Sequence, residues 1–216
     1  SITTTGTTTG TDGDGIYARN SGTDLTINAA TTRGGRNGIY AINEGDGALS
    51  ITTTGTTTGT DGDGIRAVNK GKGTSLTINA ATTRGGRNGI HARKFGEGAL
   101  SITTTGTTTG TTKDGIYAYN KSTGTSLTIN AATTTGGVHG IRAKNYGEGA
   151  LSITTSGKTT GGTDGIYARN EGTSLTINAA TTTGGRNGIY AKNNGTGVLS
   201  ITTTGDTKGN WDFKED

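Results

Sequence analysis

The side chains able to do chemistry in this chain are few, and most of them recur in register. There are two histidines, His91 and His139, and no cysteine. Disulfides, thiol catalysis and zinc–cysteine sites are therefore excluded. Each histidine takes a slot filled elsewhere by Tyr, Arg, Asn or Asp, so neither stands out as a tuned general base. Carboxylates cluster as Asp12/Asp14 and Asp61/Asp63 in two DGDG stretches and thin to Asp114 and Asp164 further on. A glycosidase needs a carboxylate pair that breaks the repeat pattern, and this set follows it. DGDG also lacks the remaining oxygen ligands of a calcium loop, and Arg36 and Arg87 next door would compete with a metal. These residues predict no catalysis, no metal and no cofactor.

What remains is binding chemistry. A segment GIxAx recurs along the chain. The residue after its Ile reads Tyr17, Tyr40, Arg66, His91, Tyr117, Arg142, Tyr167 and Tyr190. The residue after its Ala reads Arg19, Ile42, Val68, Arg93, Tyr119, Lys144, Arg169 and Lys192. In a strand both slots point the same way, so aromatics and cations gather on one face. These residue types dominate binding hot spots. They also pair well with each other across strands, for about 0.2–1 kcal/mol per pair.

Charge narrows the location. Residues 1–205 carry 18 basic and 12 acidic side chains, a net +6 against +4 for the whole chain. No acid occurs between Asp63 and Glu97, where Arg66, Lys70, Lys72, Arg84, Arg87, His91, Arg93 and Lys94 fall. Stacking is expected to set Arg66 beside His91 and Val68 beside Arg93, with Arg84 and Arg87 entering the same strand. Such a patch attracts polyanions through a salt-sensitive field. No nucleic-acid motif accompanies it.

The elements that position these side chains are repeats. LxI begins at Leu25, Leu49, Leu76, Leu100, Leu127, Leu151, Leu175 and Leu199, every 24 to 27 residues, with Ile2 in a truncated copy. GIxA follows at Ile16, Ile39, Ile65, Ile90, Ile116, Ile141, Ile166 and Ile189. A fixed period of this size marks stacked structural repeats. At 27% hydrophobic residues and with 42 glycines the composition alone would read as disorder. The regular placement of the apolar residues overrides that reading. Two strands per unit, with inward sets such as Leu25/Ile27/Ala29 and Ile39/Ala41, predict an all-β parallel β-helix of eight to nine coils. Coils about 4.8 Å apart give a length of roughly 40 Å.

Gly precedes Ile in every GIxA, which implies either positive φ or a tight corner against the neighbouring coil. Asn follows it at seven of eight copies and Lys94 at the eighth, predicting stacked amides at a corner. LSITT and LTINAATT units alternate, a double period of about 50 residues. The residue before GI alternates with them: Asp14, Asn37, Asp63, Asn88, Asp114, His139, Asp164, Asn187. Like charges then stand about 9.6 Å apart, and Arg36, Arg87 and Arg186 are expected to reach the carboxylates. The outward Thr/Ser column of LxI (Thr26, Ser50, Thr77, Ser101) is bland. Its irregularity argues against the uniform threonine lattice of an ice-binding face. Residues 206–216 leave the pattern, and Trp211 and Phe213 predict a terminal cap or the start of a further region. The start at Ser1 in mid-repeat predicts a fragment of a longer protein, and no run of about 20 apolar residues predicts membrane insertion.

Coils written LSITTTG…GIYARN and LTINAATT.GG.NGIYAKN resemble the passenger repeats of bacterial autotransporters (type V secretion) over about residues 1–205. The resemblance implies a right-handed parallel β-helix, secreted or displayed at the bacterial surface. It implies no enzyme; the family's members are adhesins, aggregation factors, toxins and host-modulating factors. Among these, proangiogenic passengers that engage a vascular growth-factor receptor have a similar repeat style. The expected partner is a host-cell surface receptor or a sulfated glycosaminoglycan. It would be met through the basic patch and the column Tyr17, Tyr40, Tyr117, Tyr119, Arg142, Lys144, Tyr167, Arg169, Tyr190 and Lys192. A self-associating stalk is the structural alternative.

Overall fold

A computed structural model describes residues 1–72, 74–121 and 123–209. Those residues contain 24 strands and no helix, and every strand pairing is parallel. Like stacks on like: Leu76, Leu100 and Leu127 are consecutive partners, as are Ile65, Ile90 and Ile116. The chain is a parallel β-solenoid of about eight turns.

Each full turn carries three strands, one more than expected. Between the LxI strand and the GI strand lies a short Thr-x-Gly strand, as at Thr57–Gly59, Thr83–Gly85 and Thr108–Gly110. In Ile2–Gly10 and Leu25–Gly34 it is continuous with the LxI strand. The LxI and Thr-x-Gly strands form one sheet of sixteen, joined through Leu25–Gly34. The GI strands, from Ile16–Asn20 to Asn187–Asn193, form a second sheet of eight.

Alternation within each strand sets which side chains enter the core. Leu, Ile and Ala of LxI and GIxA are buried from Ile16 to Ala179, and the intervening positions face outward. One coil cannot cover its own apolar edge, so stacking supplies the burial, at about 1.5–3 kcal/mol per Leu or Ile. A column of threonines also enters the interior: Thr32, Thr57, Thr83, Thr108, Thr134 and Thr159 are fully buried. Their methyls explain the glycine of the GI pair at Gly15, Gly38, Gly64, Gly89, Gly115 and Gly140. A Cβ on Gly64 would lie 2.5 Å from Thr83 Cγ2 and 2.7 Å from the Gly89 carbonyl oxygen. Close approach, not backbone handedness, selects these glycines. Among the described residues only Gly71 and Gly98 have positive φ.

The asparagine corner forms as the sequence predicts. Asn20 Nδ2 donates to Asn43 Oδ1 at 2.8 Å, and Asn120, Asn145, Asn170 and Asn193 continue in the same way at 2.8–2.9 Å. The same amides donate to turn carbonyls, such as those of Gly47, Ser75 and Gly197. Lys94 interrupts this stack. It is fully buried, and its ammonium donates to the carbonyls of Gly96 and Glu97. Asn120 Oδ1 is left without a donor.

The solenoid continues past residue 205, because Thr207–Gly209 pairs in register with Thr182–Gly184. Trp211 and Phe213 lie outside the described residues.

Candidate functional site

The alternating Asp/Asn column builds a hydrogen-bonded rail from Asp14 to His139 beneath the outer surface. Asn37 donates to Asp14 Oδ1 from its backbone (3.1 Å) and its amide (2.8 Å), and the Asp63 backbone N–H donates to Asn37 Oδ1 at 2.8 Å. Asn88 then repeats both bonds onto Asp63, and the Asp114 N–H reaches Asn88 Oδ1. Alternation is required because each carboxylate needs a donor above it and each amide oxygen a backbone donor. Burial alone would raise the Asp63 carboxyl. Hydrogen bonds from His91 and Asn88 outweigh it and hold that group below the usual carboxylate range. At Asp114 burial wins and the carboxyl is raised, against the opposing charges of His139 and Arg142.

These carboxylates are not met by Arg36 and Arg87, contrary to the expectation from spacing. Their partners are the asparagines above, His91 (Nδ1 3.2 Å from Asp63 Oδ2), His139 (3.1 Å from Asp164 Oδ2) and Arg142 (4.0 Å from Asp114 Oδ2). Neighbouring-coil Asn reaches a corner Asp with a short, fixed side chain, so the guanidiniums are not needed there.

On the outer face of the eight-stranded sheet the Tyr/Arg column forms a ladder. Tyr17 packs edge-on against Tyr40 (5.4 Å), and Arg66 lies over the Tyr40 ring (5.1 Å). His91 meets Tyr117 at 4.9 Å, Arg142 lies between Tyr117 and Tyr167, and Tyr167 stacks on Tyr190 at 5.0 Å. In the second column Arg93 covers Phe95 and Tyr119, while Arg169 covers Tyr146 and pairs with Glu171. Lys144 lies 5.9 Å from the Tyr167 ring, and burial pushes its ammonium down. Most of these side chains are thereby half-buried; Tyr17 (56% exposed) and Tyr190 (40%), at the two ends, are the exposed rings. Ile42 and Val68, register partners in an outward slot, are buried.

The predicted basic patch does not form as one surface. Lys94 is interior. Lys70 is exposed but pairs with Glu44 at 3.2 Å, and Glu44 also takes Arg19 at 2.7 Å. A window free of acids in sequence is therefore not free of them in space, because stacking imports Glu44 from the preceding coil. Lys72 stands exposed in the turn after the GI strand. Arg66, His91 and Arg93 share the GI face, with Arg66 beside His91 and Val68 beside Arg93 as expected. Arg84 does not enter that strand: it projects from Thr83–Gly85 in the other sheet.

A different cluster assembles at the corner between the two sheets. Arg33 and Arg84 both align with Thr58, one from each side. Arg36, Gly62, Arg87 and Lys113 follow one another up the next column, through N–H···O=C bonds of 2.9, 2.9 and 3.3 Å. Arg33, Arg36, Arg84, Arg87 and Lys113 are all exposed, and none makes an ion pair among the described residues. Arg33, Arg36 and Lys113 fall outside the acid-free window between Asp63 and Glu97. The signal that marks the four arginines is the pair of identical RGGRNGI segments at 33–39 and 84–90, two coils apart. Among the described residues no group of three or more His, Asp or Glu side chains is arranged to hold a metal ion.

Fold and surface together define a β-solenoid repeat protein with a laddered aromatic face and a separate cationic corner. Compared with protein-family models, with curated proteins and with solved structures, the chain matches none.

Proposed function

We propose that this chain is a binding segment of a secreted or surface-displayed protein of the autotransporter-passenger kind. It works by attachment and not by catalysis. Its partner is an acidic molecule of a host or neighbouring cell surface, a sulfated glycosaminoglycan or the acidic surface of a receptor. The observation that carries this reading is the corner cluster: five exposed cations within four successive coils with no carboxylate partner. Cations so placed raise the local concentration of polyanions through a field that salt screens. The Tyr/Arg face beside it offers rings and guanidinium planes at its rim.

Heparin chromatography at graded salt tests the proposal. Retention at low salt, released by a few hundred millimolar sodium chloride and lost on replacing Arg33, Arg36, Arg84 and Arg87 with Gln, is expected. Elution in the void at low salt would overturn it and leave the self-associating stalk as the better account.

A further inference from the structure

Within the cationic corner the side chains line an open hollow. It measures about 140 Å³ and is lined by Arg36, Asn37, Asp61, Gly62, Arg66 and Arg87. Arg36 and Arg87 stand in the same column two coils apart, with Gly62 between them in register. Close packing against the preceding coil holds this position to glycine, so no side chain stands between the two arginines. A Cβ there would lie 2.5 Å from Asn37 Oδ1 and 2.9 Å from the Arg36 carbonyl oxygen. Arg66 enters from the adjacent GI strand, and its buried Nε has no hydrogen-bond partner.

The charges around the hollow are unequal. Three guanidiniums face one exposed carboxylate, Asp61, which pairs with none of them. Asp63, just behind, is buried and already holds Asn88 and His91. We propose that this hollow seats a single tetrahedral oxyanion, a sulfo or phospho group, with one arginine directed at each of three oxygens. A guanidinium is a planar fork suited to such oxygens. A carboxylate ligand offers two oxygens to three forks and would leave one arginine unused. The volume exceeds the ~30 Å³ share of a water several-fold, so one such group fits together with residual solvent. The inference rests on the polyanion reading and sharpens it, turning a diffuse positive field into one seat with geometry.

The decisive experiment follows the arginine Nε–H signals by NMR in the intact chain. Sodium sulfate, and separately sodium phosphate, are titrated against sodium chloride at matched ionic strength. Saturable shifts confined to Arg36, Arg66 and Arg87 are expected, with binding at least ten-fold weaker in Arg36→Lys/Arg87→Lys. That variant keeps the charge and loses the forks at exposed positions. Non-saturating shifts spread equally over all arginines, including Arg19 and Arg142, would overturn the seat, as would unchanged affinity in the lysine variant. A heparin-derived tetrasaccharide that shifts the same three signals at far lower concentration than sulfate assigns the group to a polymer; parity assigns it to a free ion. Heparin retention, read in parallel, separates the two claims: saturable sulfate shifts in a protein that heparin does not retain support the seat and remove the polymer reading.

Discussion

The GI face and the corner use the same residue type in opposite ways, and the spacing along the solenoid decides which. On the face, aromatic or cationic side chains occur in successive coils, about 4.8 Å apart, a distance at which rings and guanidiniums stack. Arg142 is flanked by Tyr117 and Tyr167, and Arg93 covers Phe95 and Tyr119. At the corner, arginines occur in every second coil, with Thr58 or Gly62 between them. The intervening Thr58 and Gly62 offer them neither a ring nor a carboxylate. A one-coil period yields a self-satisfied structural ladder; a two-coil period leaves gaps that a ligand can fill. The face therefore contributes mainly to stability, and the corner is the region proposed to bind.

Several changes would break this contrast. The largest effect belongs to the rail beneath both regions. Asp63→Ala strands the donors of Asn88 and His91 and should cost about 2–4 kcal/mol, as leaving buried donors unpaired does, read as a lowered denaturation midpoint. Next comes the face. Tyr117→Ala removes a ring contacted by His91 and Arg142, with an expected loss of about 1–2 kcal/mol and unchanged heparin elution. At Lys94 the sign reverses: Lys94→Asn gives Asn120 Oδ1 its missing donor and should stabilise by about 1 kcal/mol near neutral pH.

Lys94 also gives a pH test. Burial pushes its ammonium from 10.5 down to about 8, against the opposing charge of Glu97. Between those two values the unfolded chain holds the proton that the folded protein has released. Stability should therefore rise with pH across that window, and the rise should be absent in Lys94→Asn. Equal slopes for the two proteins would contradict this account. The smallest stability effect is at the corner, where Arg87→Ala should stay within about 0.5 kcal/mol of the parent by denaturant unfolding.

Much of the fold is legible in the sequence because stacking demands identical neighbours. The Leu, Ile, Ala and Asn columns declare themselves by repetition, and so does the Asp/Asn alternation. The Thr-x-Gly strand is hidden because its composition is that of a turn, and the inward threonines because they are polar. Lys94 is misread when taken as one more surface cation. Its slot is otherwise held by Asn, and that column is buried. The basic patch fails for a related reason: the charge balance of a sequence window omits Glu44, which reaches Lys70 across the stack. Columns, not windows, carry the spatial information in a solenoid.

The central claim, that the corner and not the face binds acidic partners, is tested most directly by a crossed heparin-elution measurement. One variant carries Arg33, Arg36, Arg84 and Arg87 changed to Gln; the other carries Arg93, Arg142 and Arg169 changed to Gln. The corner variant should elute close to the void while unfolding at nearly the parent midpoint. The face variant should lose stability and keep most of its retention. Retention lost by the face variant and kept by the corner variant would contradict the account.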